Sequence, residues 1–181
     1  MVSVAVSEFI LVVATLLIGL ILFGLTQALI VPQYDFTLAE QQARALGSAS
    51  FISVSPPDIG STGYNFVIYP FIPGFKGNIS LFIFEEPSSL LSSIAVLTPQ
   101  SSAPAFSAYY PNGTGIHEVT IGPIYDTNGH ELSTSLITYT TPANTPVIIS
   151  GTIPKNYVIV IWIIYNSGNY YFRIIYTYTA G

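Results

Sequence analysis

The first thirty residues are almost continuously apolar. From Phe9 to Ile30 the chain runs through 22 residues without a charge, and a single carboxylate, Glu8, precedes them. At about 1.5 Å per residue this segment predicts a helix roughly 33 Å long, enough to cross the hydrocarbon core of a bilayer. So apolar a helix must be covered by lipid or by other copies of itself. The pattern therefore predicts either a membrane stalk or the core of a filament.

The helical pattern continues beyond the apolar run. We expect the helix to begin near Ser3 or Val4, to pass through Pro32 and to end near Leu46, with Gly47 as its C-terminal cap residue. Pro32 lacks a backbone donor and disfavours helical geometry in the preceding residue, so a kink or a local loosening is expected there.

The end of this helix is amphipathic rather than apolar all round. Steps of three and four residues place one set of side chains on a single face: Phe36, Ala39, Ala43 and Leu46. Glu40 and Arg44 form an i,i+4 pair in the favourable order. This part of the helix is therefore expected to dock one stripe against a domain.

From Ser48 onward the sequence changes to short β-branched and aromatic runs separated by Pro, Gly and Asn. The predicted strands are Phe51–Val54, Asn65–Ile72, Ile79–Glu85, Ile94–Thr98, Phe106–Tyr110, His117–Ile124, Leu132–Thr141, Val147–Gly151, Tyr157–Tyr165 and Tyr170–Thr179. The last two form a hairpin across residues 166–169. The run 157–164 is apolar on both faces, which predicts a central strand covered by the other sheet on one side and by the stalk helix or a neighbouring copy on the other.

These patterns give the predicted fold class and domains. We expect an α+β protein in which a long N-terminal hydrophobic α-helix, residues 1–47, is followed by an all-β, immunoglobulin-like sandwich head, residues 48–181.

Composition excludes several classes of function. Only 7% of the residues are charged and only four are basic, which argues against nucleic-acid binding, since clustered Lys and Arg are needed to neutralise phosphates. The chain has no cysteine, so disulfides and thiolate metal sites are excluded. The many Tyr residues are read either as ordinary head surface or as contacts between subunits.

The candidate chemistry is sparse. His117-Glu118 and His130-Glu131 could form a metal site if strands brought them together, but their spacing favours solvated groups at strand ends. The segment 126–129, DTNG, lacks the ligand spacing of an EF-hand and is predicted to be a turn. We therefore predict no enzyme activity, no cofactor and no metal site.

Two Asn-x-Ser/Thr sequons begin at Asn78 and Asn112, both in predicted loops where a glycosyl transferase could reach them. We name both as candidate glycosylation sites. The alternative is chance, since Ser and Thr are frequent in this chain.

Glu8 stands at the edge of the apolar helix, where an ionised carboxylate is costly unless it is paired or lies near the bilayer surface. It has two interpretations. Either it gains from the helix dipole and pairs with a neighbour's terminal amine, or it stays in the water of the lipid headgroups.

The opening VSEFILVVATLLIGLILFGLTQAL, followed by an amphipathic extension and a Ser/Thr/Tyr-rich β-domain, resembles archaeal type IV pilins and the related archaellins. The resemblance covers the whole architecture, but its sequence motif lies in about the first 30 residues. Glu8 matches the pilin glutamate at the fifth mature position if the mature chain begins at Val4. The basic signal-peptide residues that precede a prepilin cleavage site are absent from this numbering, which suggests an already mature sequence.

The resemblance implies a cell-surface filament. The subunit would be inserted in the membrane first, would then be moved by pilus assembly machinery, and would polymerise through its helices, with N-linked glycans on the head. The residues expected to pack in the helical core are Glu8, Phe9, Leu11, Gly19, Leu20, Phe23, Gly24, Leu25 and Pro32.

Two alternatives stay open. Val-Ser-Glu leading into an apolar helix also resembles archaellum accessory (stator-like) proteins, which keep one membrane helix and project a β-sandwich toward the S-layer. An enzyme on a stalk would require His117 and His130 to share a metal.

Overall fold

A computed structural model describes residues 2–60, 63–94 and 97–180. The chain divides into two compact units, Met1–Leu38 and Ala39–Gly181. The head unit thus includes the last helical residues, 39–49, as well as the β-domain. The predicted domains, 1–47 and 48–181, place the division at the end of the helix instead.

The N-terminal region is helical, as predicted. Helix α1 spans Val2–Leu25, a π-helical turn spans Thr26–Ile30, and helix α2 spans Val31–Ala49. In the π turn the Val31 N–H bonds to the carbonyl of Thr26, five residues back. The expected loosening around Pro32 therefore takes the form of one wide turn immediately before the proline.

The predicted cap role of Gly47 is wrong. Helix α2 continues past Gly47 to Ala49. A Cβ on Gly47 would lie 2.7 Å from the carbonyl oxygen of Ile174. This glycine therefore allows close contact between the helix and a strand rather than ending the helix.

Twelve strands follow among the described residues. They are β1 Phe51–Val54, β2 Asp58–Gly60, β3 Gly63–Phe71, β4 Asn78–Pro87, β5 Ser107–Tyr109, β6 Glu118–Ile121, β7 Ile124–Tyr125, β8 Glu131–Ser133, β9 Leu136–Pro142, β10 Val147–Gly151, β11 Tyr157–Ser167 and β12 Tyr170–Ala180. A short 3₁₀ helix, Ser88–Ser93, follows β4. The predicted α+β class, one long N-terminal helix followed by a sandwich-like all-β head, is confirmed.

The strands form two sheets. The five-stranded sheet has the order β1-β3-β10-β5, with β2 beside β3, and the seven-stranded sheet has the order β6-β9-β4-β11-β12-β7-β8. The predicted β11–β12 hairpin is present, with ten paired positions and a bulge after Ile163.

The seven-stranded sheet curls so that its edges approach each other. Residues 122–123 join β6 to β7, and residues 134–135 join β8 to β9. In both cases the two strands that are joined lie on opposite sides of the sheet. A two-residue link spans at most about 11 Å, whereas five strand spacings in a flat sheet amount to about 24 Å. Gly122 has φ +155°, and a Cβ at this position would clash with the backbone of Thr134. The two links are therefore in direct contact. The sheet is therefore nearly closed.

Some predicted strands differ from the structure. Ile94–Thr98 is not a strand in its described residues; Ala95 and Val96 lie outside them. The predicted runs 117–124 and 132–141 are each interrupted by a link of the closed sheet, and the short strand β2 was missed. The links interrupt segments whose hydrophobic periodicity predicts one continuous strand.

The core of the closed sheet surrounds Trp162. Its ring centroid lies 5.3 Å from that of Phe84 and 6.1 Å from that of Phe82. The alternate residues Ile159, Ile161 and Ile163 are fully buried as well, so both faces of β11 are covered, as predicted. On the Trp162 face, however, the cover is the curled sheet with Ile94 and its neighbours, instead of the stalk helix or another copy.

Candidate functional site: the apolar helix and the surfaces of the head

Every residue from Val4 to Val31 is exposed in the single chain. The predicted core residues Phe9, Leu11, Leu20, Phe23 and Leu25 expose between 51% and 68% of their surface. This is the one helix of the described chain that is long and apolar enough to cross a membrane. Its apolar side chains point in all directions, so the helix needs cover on all sides.

The hydroxyl groups in this region are satisfied within the helix. Thr15 donates to the carbonyl of Leu11 at 2.8 Å, and Thr26 donates to the carbonyl of Leu22 at 2.9 Å. Such bonds hide polar groups from an apolar environment. The threonines therefore do not oppose burial of the helix in lipid or protein.

Gly19 and Gly24 have no packing role inside the chain, since a Cβ on either would meet no atom within 4 Å. Glycine within a helix costs about 1 kcal/mol relative to alanine. Glu8 and Pro32 are also exposed, and the described residues offer Glu8 no ion pair within the chain. The structure thus places the predicted core residues on open helix surface.

The end of α2 is fixed to the head. Ala39 and Ala43 are buried, which confirms the predicted docking face. Arg44 makes the predicted salt bridge to Glu40 at 2.7 Å. Its Nη2 and Nε also donate to the carbonyl of Thr127 at 2.9 and 3.2 Å.

The loop that receives Arg44 is held by Asp126. One carboxylate oxygen accepts the backbone N–H groups of Asn128 and His130 at 2.8 and 2.9 Å, and the other lies 3.2 Å from His130 Nδ1. Burial raises the pKa of Asp126, but these hydrogen bonds outweigh it and hold the pKa below its usual value. The segment 126–129 is thus the predicted turn, and it is fixed by its own carboxylate.

The two His-Glu pairs do not converge. His130 is engaged with Asp126, whereas Glu118 accepts a hydrogen bond from the Tyr139 hydroxyl at 3.1 Å. Burial and this carboxylate raise the pKa of Tyr139 to about 12. No group of three or more His, Cys, Asp or Glu that could hold a metal occurs within residues 2–60, 63–94 and 97–180.

The two sequons lie in different surroundings. Asn112 is in an exposed turn, where its side chain accepts the N–H of Thr114 at 3.0 Å. Asn78 is exposed too, but it is the first residue of β4, and Ser80 of its sequon is buried between β9 and β11. The expectation of a loop is therefore right for Asn112 and wrong for Asn78, so Asn112 is the more accessible acceptor.

An apolar patch covers the outer face of the five-stranded sheet. Phe51, Val67 and Tyr109 are 54%, 39% and 37% exposed on that face, and Phe71 lies beside Phe51 with the ring centroids 5.0 Å apart. Strands β1, β3, β5 and β10 contain no charged residue, and Asp58 of β2 lies at the edge of this sheet. This surface, the outer-sheet patch, suits contact with another protein.

Two buried charged residues were not predicted from the sequence. Arg173 is 7% exposed, and its guanidinium carbon lies 4.9 Å from the ring centroids of both Trp162 and Tyr176. Glu86 is 3% exposed, and burial together with the charge of Glu85 raises its pKa. A charged residue inside an aromatic or apolar strand is the sequence signal that could have identified both.

No family model, curated protein or solved structure matches this chain. Its function must therefore be argued from its own residues.

Proposed function

We propose that this chain is a pilin-like structural subunit of an extracellular archaeal filament of the type IV kind. In this proposal it polymerises through its N-terminal helix, and the filament serves adhesion. The observation that carries the proposal is the exposure of apolar side chains on every side of the helix from Val4 to Val31. Packing among identical helices would cover all of these sides at once.

Apolar burial would hold such a polymer together against dissociation into water. Complete burial of one Leu or Phe side chain contributes about 1.5–3 kcal/mol, and the exposed helix presents many of them. The open surfaces of Gly19 and Gly24 would let neighbouring helices approach closely. Before assembly the bilayer would supply the cover, so the subunit would wait as a membrane protein until assembly machinery moves it.

A membrane-anchored accessory protein that binds an envelope partner is the second candidate. The outer-sheet patch favours it, because one apolar surface on a polar head suits a single docking partner. In that case the helix would remain in lipid and the chain would not polymerise.

Fractionation of the native cells separates the two candidates. Filaments are sheared from the cells, and the chain is quantified by mass spectrometry in the sheared and membrane fractions. A filament subunit is the dominant protein of the sheared fraction, whereas an accessory protein stays with the membrane.

A further inference from the structure

One end of the closed seven-stranded sheet is lined by polar residues. Alternate residues of a strand share a face, so Asn78 and Ser80 point the same way as Phe82 and Phe84 on β4. Thr140 on β9 lies opposite Ser80 on β4, and Asn166 on β11 lies opposite Tyr171 on β12. The interior of the sheet therefore changes from aromatic around Trp162 to amide and hydroxyl groups at this end.

These side chains line a cavity of about 250 Å³, which we call the mouth. Tyr171 contributes an aromatic ring, and Val119 and Ile121 of β6 contribute an aliphatic wall. Among the residues that the structure describes, no Asp, Glu, Lys or Arg lines it. The mouths of closed β-sheets are frequent sites for small ligands, and this volume falls just below the range of about 300–1,000 Å³ for drug-sized ligands.

The polar groups of the mouth are not used by the chain itself. Ser80 is 6% exposed, yet its hydroxyl has no hydrogen-bond partner among the residues described here. Within the same residues the side chains of Asn78, Thr140 and Asn166 also form no hydrogen bond. Buried polar groups ordinarily have partners, because an unmet donor or acceptor is costly. Ser80 is buried and Thr140 is partly buried, whereas Asn78 and Asn166 are exposed at the rim, so all four groups are available to hydrogen-bond a polar molecule that enters the cavity.

We propose that the mouth binds one residue of a neutral saccharide. Amide and hydroxyl groups can donate and accept, which matches the hydroxyls of a sugar ring. The ring of Tyr171 and the aliphatic wall match the C–H face of the same ring. A charged ligand would lose its hydration with no counter-charge to replace it. The sugar belongs either to a glycan on a neighbouring subunit or to an external polysaccharide, since both present the same chemistry.

The test uses the full chain in detergent micelles, so that it does not depend on filament assembly. Intact mass is measured first, and a hexose attached to Asn78 would overturn the proposal. Saturation-transfer NMR is then recorded with methyl α-mannopyranoside, methyl β-glucopyranoside and N-acetylglucosamine, with glucuronate as the charged probe. At least one neutral sugar is expected to bind with a Kd on the order of 1 mM, and more strongly than glucuronate.

Matched variants locate the binding. Asn166→Ala and Thr140→Val should each weaken the Kd about tenfold, the usual effect of one lost hydrogen bond. Asn169→Ala in the same hairpin turn and Thr120→Val on the exposed side of β6 should leave it unchanged. Absence of binding by all three sugars, or equal effects of the mouth and control variants, would overturn the proposal.

The two sources of sugar are distinguished on sheared filaments before and after removal of their glycans. If a neighbouring copy's glycan fills the mouth, its removal increases uptake of the free sugar. If the ligand is external, uptake is the same in both preparations.

Discussion

Gly47 of helix α2 faces the backbone of Ile174 on β12 so closely that a Cβ would lie 2.7 Å from the Ile174 carbonyl oxygen. The helix and the strand therefore meet backbone to backbone. This contact joins the last turns of the helix to the β-domain within one unit.

Gly47→Ala is expected to destabilise the head by up to about 2 kcal/mol. Alanine would gain helix propensity of about 1 kcal/mol, but the forced separation of helix and strand costs about 1–3 kcal/mol or more. Thermal unfolding of the full chain in micelles measures the change. Gly115→Ala is the control, because open space surrounds that glycine. A stabilised Gly47→Ala variant would show that the helix can move away without cost.

Arg44 is expected to contribute more through Thr127 than through Glu40. Arg44→Met removes two hydrogen bonds to the Thr127 carbonyl, which corresponds to about 1 kcal/mol of stability. Glu40→Gln removes only an i,i+4 ion pair, worth about 0.3–0.5 kcal/mol. Urea unfolding of both variants compares the two losses, and equal losses would contradict a role for the Thr127 contact.

Glu86 is expected to make stability depend on pH. Its pKa in the folded protein lies above the usual value of 4.5, first because of burial and then because of Glu85. The contribution of Glu86 to stability is therefore most favourable below pH 4.5, where Glu86 is neutral in both states, and it is lost as pH rises through the folded pKa.

Glu86→Gln should accordingly raise the Tm at pH 7 and leave it nearly unchanged at pH 3. Melting curves at the two pH values measure the difference, and Glu131→Gln, at an exposed position of β8, is the control. A lower Tm at pH 7 would mean that the Glu86 carboxylate is stabilised by a contact.

Gly19→Leu and Gly24→Leu are expected to prevent filament formation. Each side chain would occupy space that is open in the single chain, so folding of the subunit should be unaffected while close helix packing is lost. Filament yield after shearing, relative to the amount of subunit in the membrane, measures assembly. Ile21→Leu, which conserves volume on the same helix, is the control, and normal yield from both glycine variants would argue against a tight helical core.

Local sequence patterns predict much of this fold because the relevant contacts are local. The charge-free run from Phe9 to Ile30 and the two long strands of the last hairpin each carry their own periodicity. The closure of the seven-stranded sheet could not be predicted in this way. It depends on pairing between distant segments and on the break at Gly122, within a run that reads as one strand.

The site illustrates the same limit. Exposed residues of the apolar helix could be named from the sequence, since they need no tertiary context. The polar mouth could not, because Ser80, Thr140 and Asn166 come together only when three strands align. Asn78 was identified as a sequon, but its position at the end of a closed sheet is a property of the fold.

Cryo-electron microscopy of filaments sheared from the native cells, at a resolution that shows side chains, tests directly whether this chain forms the filament core. If it does, density along the filament axis fits the sequence from Phe9 to Leu25, with helices of neighbouring copies in contact at Gly19 and Gly24. Filaments whose axial density fits another sequence, with this chain left in the membrane, would contradict the proposal.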